Sequence, residues 1–100
     1  MNMTQKDQEL WVLHLQNLRR QNVSRFAQSV DQVFAQQPRT LVLDCKELQS
    51  LDYQGLKALL SCLKKSMESE CKLYLQALGT GPRMILEMTR TLQLFNELEG

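Results

Sequence analysis

The sequence predicts an α/β domain built on a mostly parallel sheet, and three observations carry that prediction. Glu9–Leu15, Thr40–Asp44 and Lys72–Ala77 are short apolar or alternating runs of strand length. The stretches between and after them repeat apolar residues at steps of three and four, as one face of a helix does. The resulting order, strand-helix repeated three times, implies consecutive parallel strands joined by right-handed crossovers.

Residues 1–8 are polar and read as a tail or a weak edge strand. In the first full strand Trp11, Leu13 and Leu15 alternate onto one face, and Leu10, Val12 and His14 take the other. Apolar groups on both faces predict a central strand, or one covered on both sides. A polar connection, Gln16–Gln21, leads to a helix that Asn22 or Ser24 can cap. Its inner face is Val23, Phe26, Ala27, Val30, Val33 and Phe34, and Pro38 ends it by disfavouring helical geometry at Gln37.

The almost continuous apolar run Thr40–Asp44 fits a strand buried on both faces. Leu48 and Leu51 anchor the following loop inward, and Asp52 is a good N-cap for the second helix. Leu56, Leu59, Leu60, Leu63 and Met67 are its expected inner face, with Lys57, Lys64 and Lys65 outside and an end near Ser69. In the third strand Leu73, Leu75 and Ala77 point inward. Gly79-Thr80-Gly81-Pro82 launches the third helix, with Pro82 expected at the first helical position and Met84, Ile85 and Met88 facing the core. Leu92, Leu94 and Phe95 close the chain as a turn or short strand.

One hundred residues is one domain's worth, so residues 1–100 are expected to form a single unit. The 12 basic and 11 acidic residues leave a net charge of +1, which gives no long-range attraction to nucleic acid or to an anionic membrane. No apolar run approaches the roughly 20 residues of a membrane span, and the first residues lack a signal peptide's apolar core. Three scattered cysteines make a poor disulfide framework. A cytoplasmic protein without membrane insertion is the simplest expectation.

The residue types that carry catalysis are sparse. His14 is the single histidine and lies mid-strand, where a packed or surface role is the simpler one. Cys45, Cys62 and Cys71 lack the spacing of a zinc or redox pair and read as small buried hydrophobes. Asp44 and Asp52 could pose as paired carboxylates, but their places suit loop bonding and capping. Gly79-Thr80-Gly81 has no following Lys-Ser/Thr pair, so it is not a Walker loop. Arg19-Arg20 and Lys64-Lys65 read as basic pairs on solvated faces. No metal, cofactor or catalytic residue is expected, which points to a binding module and not an enzyme. A small nucleotide-binding or cysteine-based enzyme using Cys45 is the competing reading.

Leu41-Val42-Leu43-Asp44 followed by Leu51-Asp52-Tyr53-Gln54-Gly55-Leu56 resembles the STAS family, the bacterial anti-sigma factor antagonists and the domains appended to sulphate transporters. In that family an apolar strand ends in Asp, and Asp-Ser-Ser/Thr-Gly-Leu opens a helix about seven residues later. Leu18–Phe26 resembles the Gly-x-Leu-Asp segment and its helix, Leu73–Leu75 the next strand, and Leu86-Glu87-Met88-Thr89 with Leu94-Phe95 the ending. The resemblance implies a STAS-type fold, a central mostly parallel sheet of about four strands with three to four helices. It implies transcription regulation through protein–protein binding, with an anti-sigma factor or serine kinase-like regulator as partner. A small STAS subunit binding the ATPase of a lipid-transport ABC complex is the alternative.

The departures from the family pattern fall on the switch. The phosphorylated serine of the antagonists is replaced by Tyr53 and the second hydroxyl residue by Gln54. Gln16-Asn17-Leu18-Arg19 lacks the Gly and Asp of the earlier segment, Arg90 stands where the ending has Gly, and the strand preceding Glu9 is shortened or absent. A phosphate would bring about −1.5 to −2 charges to the helix start. Tyr53, whose oxygen lies farther out, does not suit a serine kinase but offers a flat apolar face to an interface. The expected partner-binding surface is Ser50, Asp52, Tyr53, Gln54, Gly55 and Lys57. Gly55 is expected to let the chain turn and to let a partner backbone approach closely.

Overall fold

The computed structural model describes residues 2–6 and 9–98. Its elements are β1 (Asn2–Gln5), β2 (Leu10–His14), α1 (Val23–Phe34), β3 (Thr40–Asp44), α2 (Tyr53–Glu68), β4 (Lys72–Gln76), α3 (Thr80–Met88), a 3₁₀ turn (Leu92–Leu94) and β5 (Asn96–Leu98). The sheet runs β1-β2-β3-β4-β5, with β1 antiparallel to β2 and every other pair parallel. There are thus five strands where about four were expected, because both ends of the chain pair. Residues 2–5 form an edge strand, so the strand before Glu9 is short but present; Met1, Asp7 and Gln8 of the expected tail lie outside the described residues. Of the closing residues, Leu92 and Leu94 lie in the turn, and the strand follows beyond Phe95 at Asn96–Leu98.

The parallel strands are added in one direction, so right-handed crossovers place α1, α2 and α3 on the same face. The core lies there: Leu13, Leu15, Leu41, Leu43, Leu73 and Leu75 from the sheet meet Phe26, Val30 and Val33 of α1, Leu56, Leu59 and Cys62 of α2, and Leu86 of α3. Each such buried aliphatic or aromatic side chain stabilises the fold by about 1.5–3 kcal/mol. Val12 and Val42 are buried but stand outside this cluster. They lie side by side in one row, Thr4-Val12-Val42-Tyr74-Asn96, across the opposite face of the sheet. β2 therefore has strands on both flanks but helices over one face only, and its second apolar face is closed by side chains of the sheet itself.

Several expectations need correction, first that for Ala27, which is exposed while Ser29 is buried on α1. Met67 is exposed, because the buried line of α2 runs Leu56, Leu59, Cys62, Ser66. Ser66 tolerates burial by donating its hydroxyl to the Leu63 carbonyl at 2.6 Å. In α3 Met84 and Met88 are exposed; Pro82 and Leu86 are buried and Ile85 is half-buried. Two apolar stripes compete on this short helix, and the one on the sheet side wins. Pro82 is the third helical residue, after Gly79 as N-cap, where its missing N–H is still one the helix leaves unpaired. Ala77 lies past the end of β4, exposed, at φ 57°.

Both α2 and α3 end in a left-handed residue, Glu70 (φ 55°) and Arg90 (φ 59°). In each, the next N–H reaches back to the helix: Cys71 to Ser66 O at 2.8 Å and Thr91 to Leu86 O at 2.8 Å. Arg90 therefore occupies a conformation that glycine adopts at no steric cost. Arg90→Gly is expected to raise stability by about 0.5–1 kcal/mol in urea unfolding. In the same assay Leu86→Ala costs about 2–5 kcal/mol, whereas Met88→Ala stays within about 0.5 kcal/mol. Equal losses from the two would refute the orientation of α3.

Candidate functional site

The start of α2 is held by the connection between β2 and α1. Past β2 the chain makes one more parallel bridge, Leu18 with Leu51. The Leu18 N–H donates to Ser50 O and the Asp52 N–H to Leu18 O, both at 3.1 Å. Asn17 Oδ1 accepts from the N–H groups of Gln49 (2.8 Å) and Ser50 (3.0 Å). Asn22 does not cap α1 with its side chain. Its Oδ1 accepts from the Arg19 N–H at 2.8 Å, and its Nδ2 donates to Asn17 O. Asn22, expected as a possible helix cap, shapes this loop together with Asn17 instead.

Asp52 caps α2 as expected. One carboxylate oxygen accepts from the Gly55 N–H and the other from the Arg20 N–H, each at 2.8 Å. These bonds, first that from Gly55 and then that from Arg20, hold its carboxyl below the usual range against a smaller opposing effect of desolvation. Arg19, expected on a solvated face, donates from Nε to Ser50 Oγ at 2.8 Å. Tyr53 is 70% exposed at the first helical position. The Lys57 ammonium lies 5.5 Å from its ring centroid, one turn on, in cation–π range. Gln54 and Lys57 are exposed and Ser50 is half-buried.

The fold thus gathers Ser50, Asp52, Tyr53, Gln54 and Lys57 around the first turn of α2. Gly55 is different: it is buried, and a Cβ there would sit 2.1 Å from the Leu18 carbonyl oxygen. The backbone that approaches Gly55 is the chain's own, not a partner's. Sequence reading had not assigned Asn17, Leu18 and Arg20 to the site, since their contribution is largely through backbone groups and one amide side chain.

The other candidates lie apart in function. Asp44 Oδ2 is 2.9 Å from His14 Nδ1, and His14 Nε2 is 2.9 Å from Thr4 Oγ1. This chain of contacts ties β1, β2 and β3 on the helix-free face. Burial pushes the Asp44 carboxyl up, but the hydrogen bonds from His14 and the Lys46 N–H and the nearby positive charges outweigh it and hold the group low. Asp44 and Asp52 are each engaged by separate donors, as loop and cap residues. Burial pushes the Cys45 and Cys62 thiols up to about 12 and raises that of Cys71, so none is a ready thiolate at neutral pH. Among the described residues no group of His, Cys, Asp or Glu is placed to hold a metal ion, and no helix is long and apolar enough to cross a membrane. A shallow concavity of about 1170 Å³ at the other end of the strands is lined by charges of both signs, among them Arg39, Glu70 and Lys72.

A mostly parallel sheet with helices on one face and a capped helix start at its carboxyl edge defines the class. The STAS domain model matches residues 3–99, and the chain belongs to the STAS domain family. Searched by sequence, the curated proteins give no significant match. Among solved structures, the Thermotoga maritima protein TM1081 superposes with a TM-score of 0.83 at 17% identity, covering 97% of this chain and 78% of that one. The anti-sigma factor antagonist SpoIIAA in its unphosphorylated form gives 0.81 at 13%, covering 99% and 86%. An anti-sigma factor antagonist from Mycobacterium paratuberculosis gives 0.80 at 20%, covering 96% and 85%. At these identities the likeness establishes the fold.

Gly55→Ala is expected to cost about 3 kcal/mol or more, because the added methyl meets backbone and not a yielding side chain; urea unfolding measures it. The depressed carboxyls of Asp52 and Asp44 give a pH dependence of definite sign. A carboxyl lowered in the folded state stabilises above its unfolded value of about 4 and loses that contribution as pH falls through the lower folded value. Unfolding free energy should therefore fall below about pH 4, and Asp52→Asn and Asp44→Asn should each flatten that fall. Unchanged acid slopes in both variants would show that these contacts are absent in solution.

Proposed function

We propose that this chain is a protein-binding regulatory module that docks through the first turn of α2 and acts by binding, not by catalysis. The observation that carries the reading is Tyr53: a large aromatic ring, 70% exposed, on a rigid and fully capped helix start. Aromatic side chains on rigid elements give much contact area for little ordering entropy. Lys57 over the ring and the half-buried Ser50 beside Arg19 supply polar contacts at the rim.

The partner is an anti-sigma factor or a related serine-kinase-like regulator, in keeping with the names of SpoIIAA and the mycobacterial antagonist. The serine acceptor is missing at Tyr53, so binding here is not released by the serine phosphorylation that switches the antagonists. The raised thiols and the occupied His14 support a role without catalysis.

Affinity purification of the tagged protein from its own cells, compared with Tyr53→Ala and Tyr53→Glu, tests the reading. Both variants should lose the proteins captured by the unaltered chain while unfolding at the same denaturant concentration. Retention of every partner by both would overturn it. Incubation with an anti-sigma kinase and ATP should leave positions 50–57 unmodified by mass spectrometry.

A further inference from the structure

The surface around Tyr53 does not end at the first turn of α2. An open groove of about 340 Å³ runs between α1 and α2, with Val23, Ala27 and Val30 on one side and Ala58, Ser61 and Cys62 on the other. Gln54 and Lys57 line it too, so it is continuous with the Tyr53 surface. Its volume lies at the low end of small-molecule pockets, roughly 300–1,000 Å³. An open, shallow, largely apolar channel between two helices suits a row of side chains from a third helix.

Charge selects the occupant. Both helices follow parallel strands, so their N-termini lie at the same end of the groove, and neither has an acidic residue in its first turn. Exposed Arg19 and Arg20 precede α1 at that end, and Lys57 adds a third cation. Asp52, the carboxylate at this end, is already held by the Gly55 and Arg20 N–H groups. At the far end Lys65 is paired with Asp31. The groove is therefore positive at one end and neutralised at the other, with an apolar floor. We propose that it seats an acidic amphipathic helix of the protein partner, apolar residues down and carboxylates toward Arg19, Arg20 and Lys57. This rests on the docking role assigned to the Tyr53 surface.

The probe is a synthetic amphipathic helix of about 15 residues, with leucines on one face and glutamates flanking them, titrated into isotope-labelled protein and followed by amide NMR shifts. Its counterpart carries lysine for each glutamate, and inorganic phosphate is a third arm. The acidic peptide should shift the amides of Gln54, Lys57, Ala58 and Ser61, with affinity falling as salt rises. Arg20→Glu combined with Lys57→Glu should weaken it about tenfold. Ala27 and Ser61 are exposed, so Ala27→Glu and Ser61→Glu introduce repulsion on each wall without disturbing the core and should also abolish binding, while Ser61→Gln retains it. Equal binding of the lysine peptide, the same shifts with phosphate, or binding unaffected by both wall variants would overturn the proposal. Native-partner capture separates the two readings. Loss with Tyr53→Ala but not with the wall variants sinks the groove and leaves the docking surface. Loss with the wall variants but not with either Tyr53 variant sinks the Tyr53 surface.

Discussion

The contact between the Leu18 carbonyl and Gly55 sets the geometry of the whole carboxyl edge. Leu18 is fully buried, its N–H and C=O bridge the chain at Ser50 and Asp52, and its carbonyl lies where any side chain on Gly55 would have to be. A residue with a Cβ would lift α2 away from the β2–α1 connection. With glycine the helix starts directly against that connection. Asp52 can then reach both the Gly55 and Arg20 N–H groups, and Tyr53, one position on, is turned out to solvent.

That arrangement leaves few uncommitted polar groups at the carboxyl edge. The polar groups at the carboxyl edge are largely committed to backbone: Asn17 to Gln49 and Ser50, Asp52 to Gly55 and Arg20. The thiols are sealed in the core. His14 and Asp44 connect strands on the opposite face. The side chains left exposed around α2's first turn, Tyr53, Gln54 and Lys57, are ones that make contacts well. α3 is tied to the last strand by the two-pronged Arg83–Glu97 pair at 3.1 and 2.5 Å, which closes the sheet on that side.

Much of this was legible in the chain. Periodicity of two and of about 3.6 located β2, β3, β4 and the three helices, because a buried face must repeat at the period of its own backbone. Asp52 was legible as a cap because capping is local: its oxygen reaches an N–H three residues on. Apolar identity misled where two stripes competed. Met67, Met84 and Met88 are as hydrophobic as the residues that were buried in their place, and Ser66 goes inside because a local carbonyl satisfies its hydroxyl. The short strands β1 and β5 gave almost no local signal, since pairing with β2 and β4 makes them strands.

The amino-acid order alone therefore specified the succession from β2 to α3, the cap of α2 and the exposed tyrosine behind it, all of which rest on interactions within a few residues. The folded chain assigned the rest. Gly55 makes room for Leu18, and Arg19, whose charge looked merely solvated, meets Ser50, because β2 and β3 lie side by side and bring residues more than thirty positions apart into contact. Non-local contacts of this kind leave no period or spacing in the sequence, so they become visible only once the strands are paired.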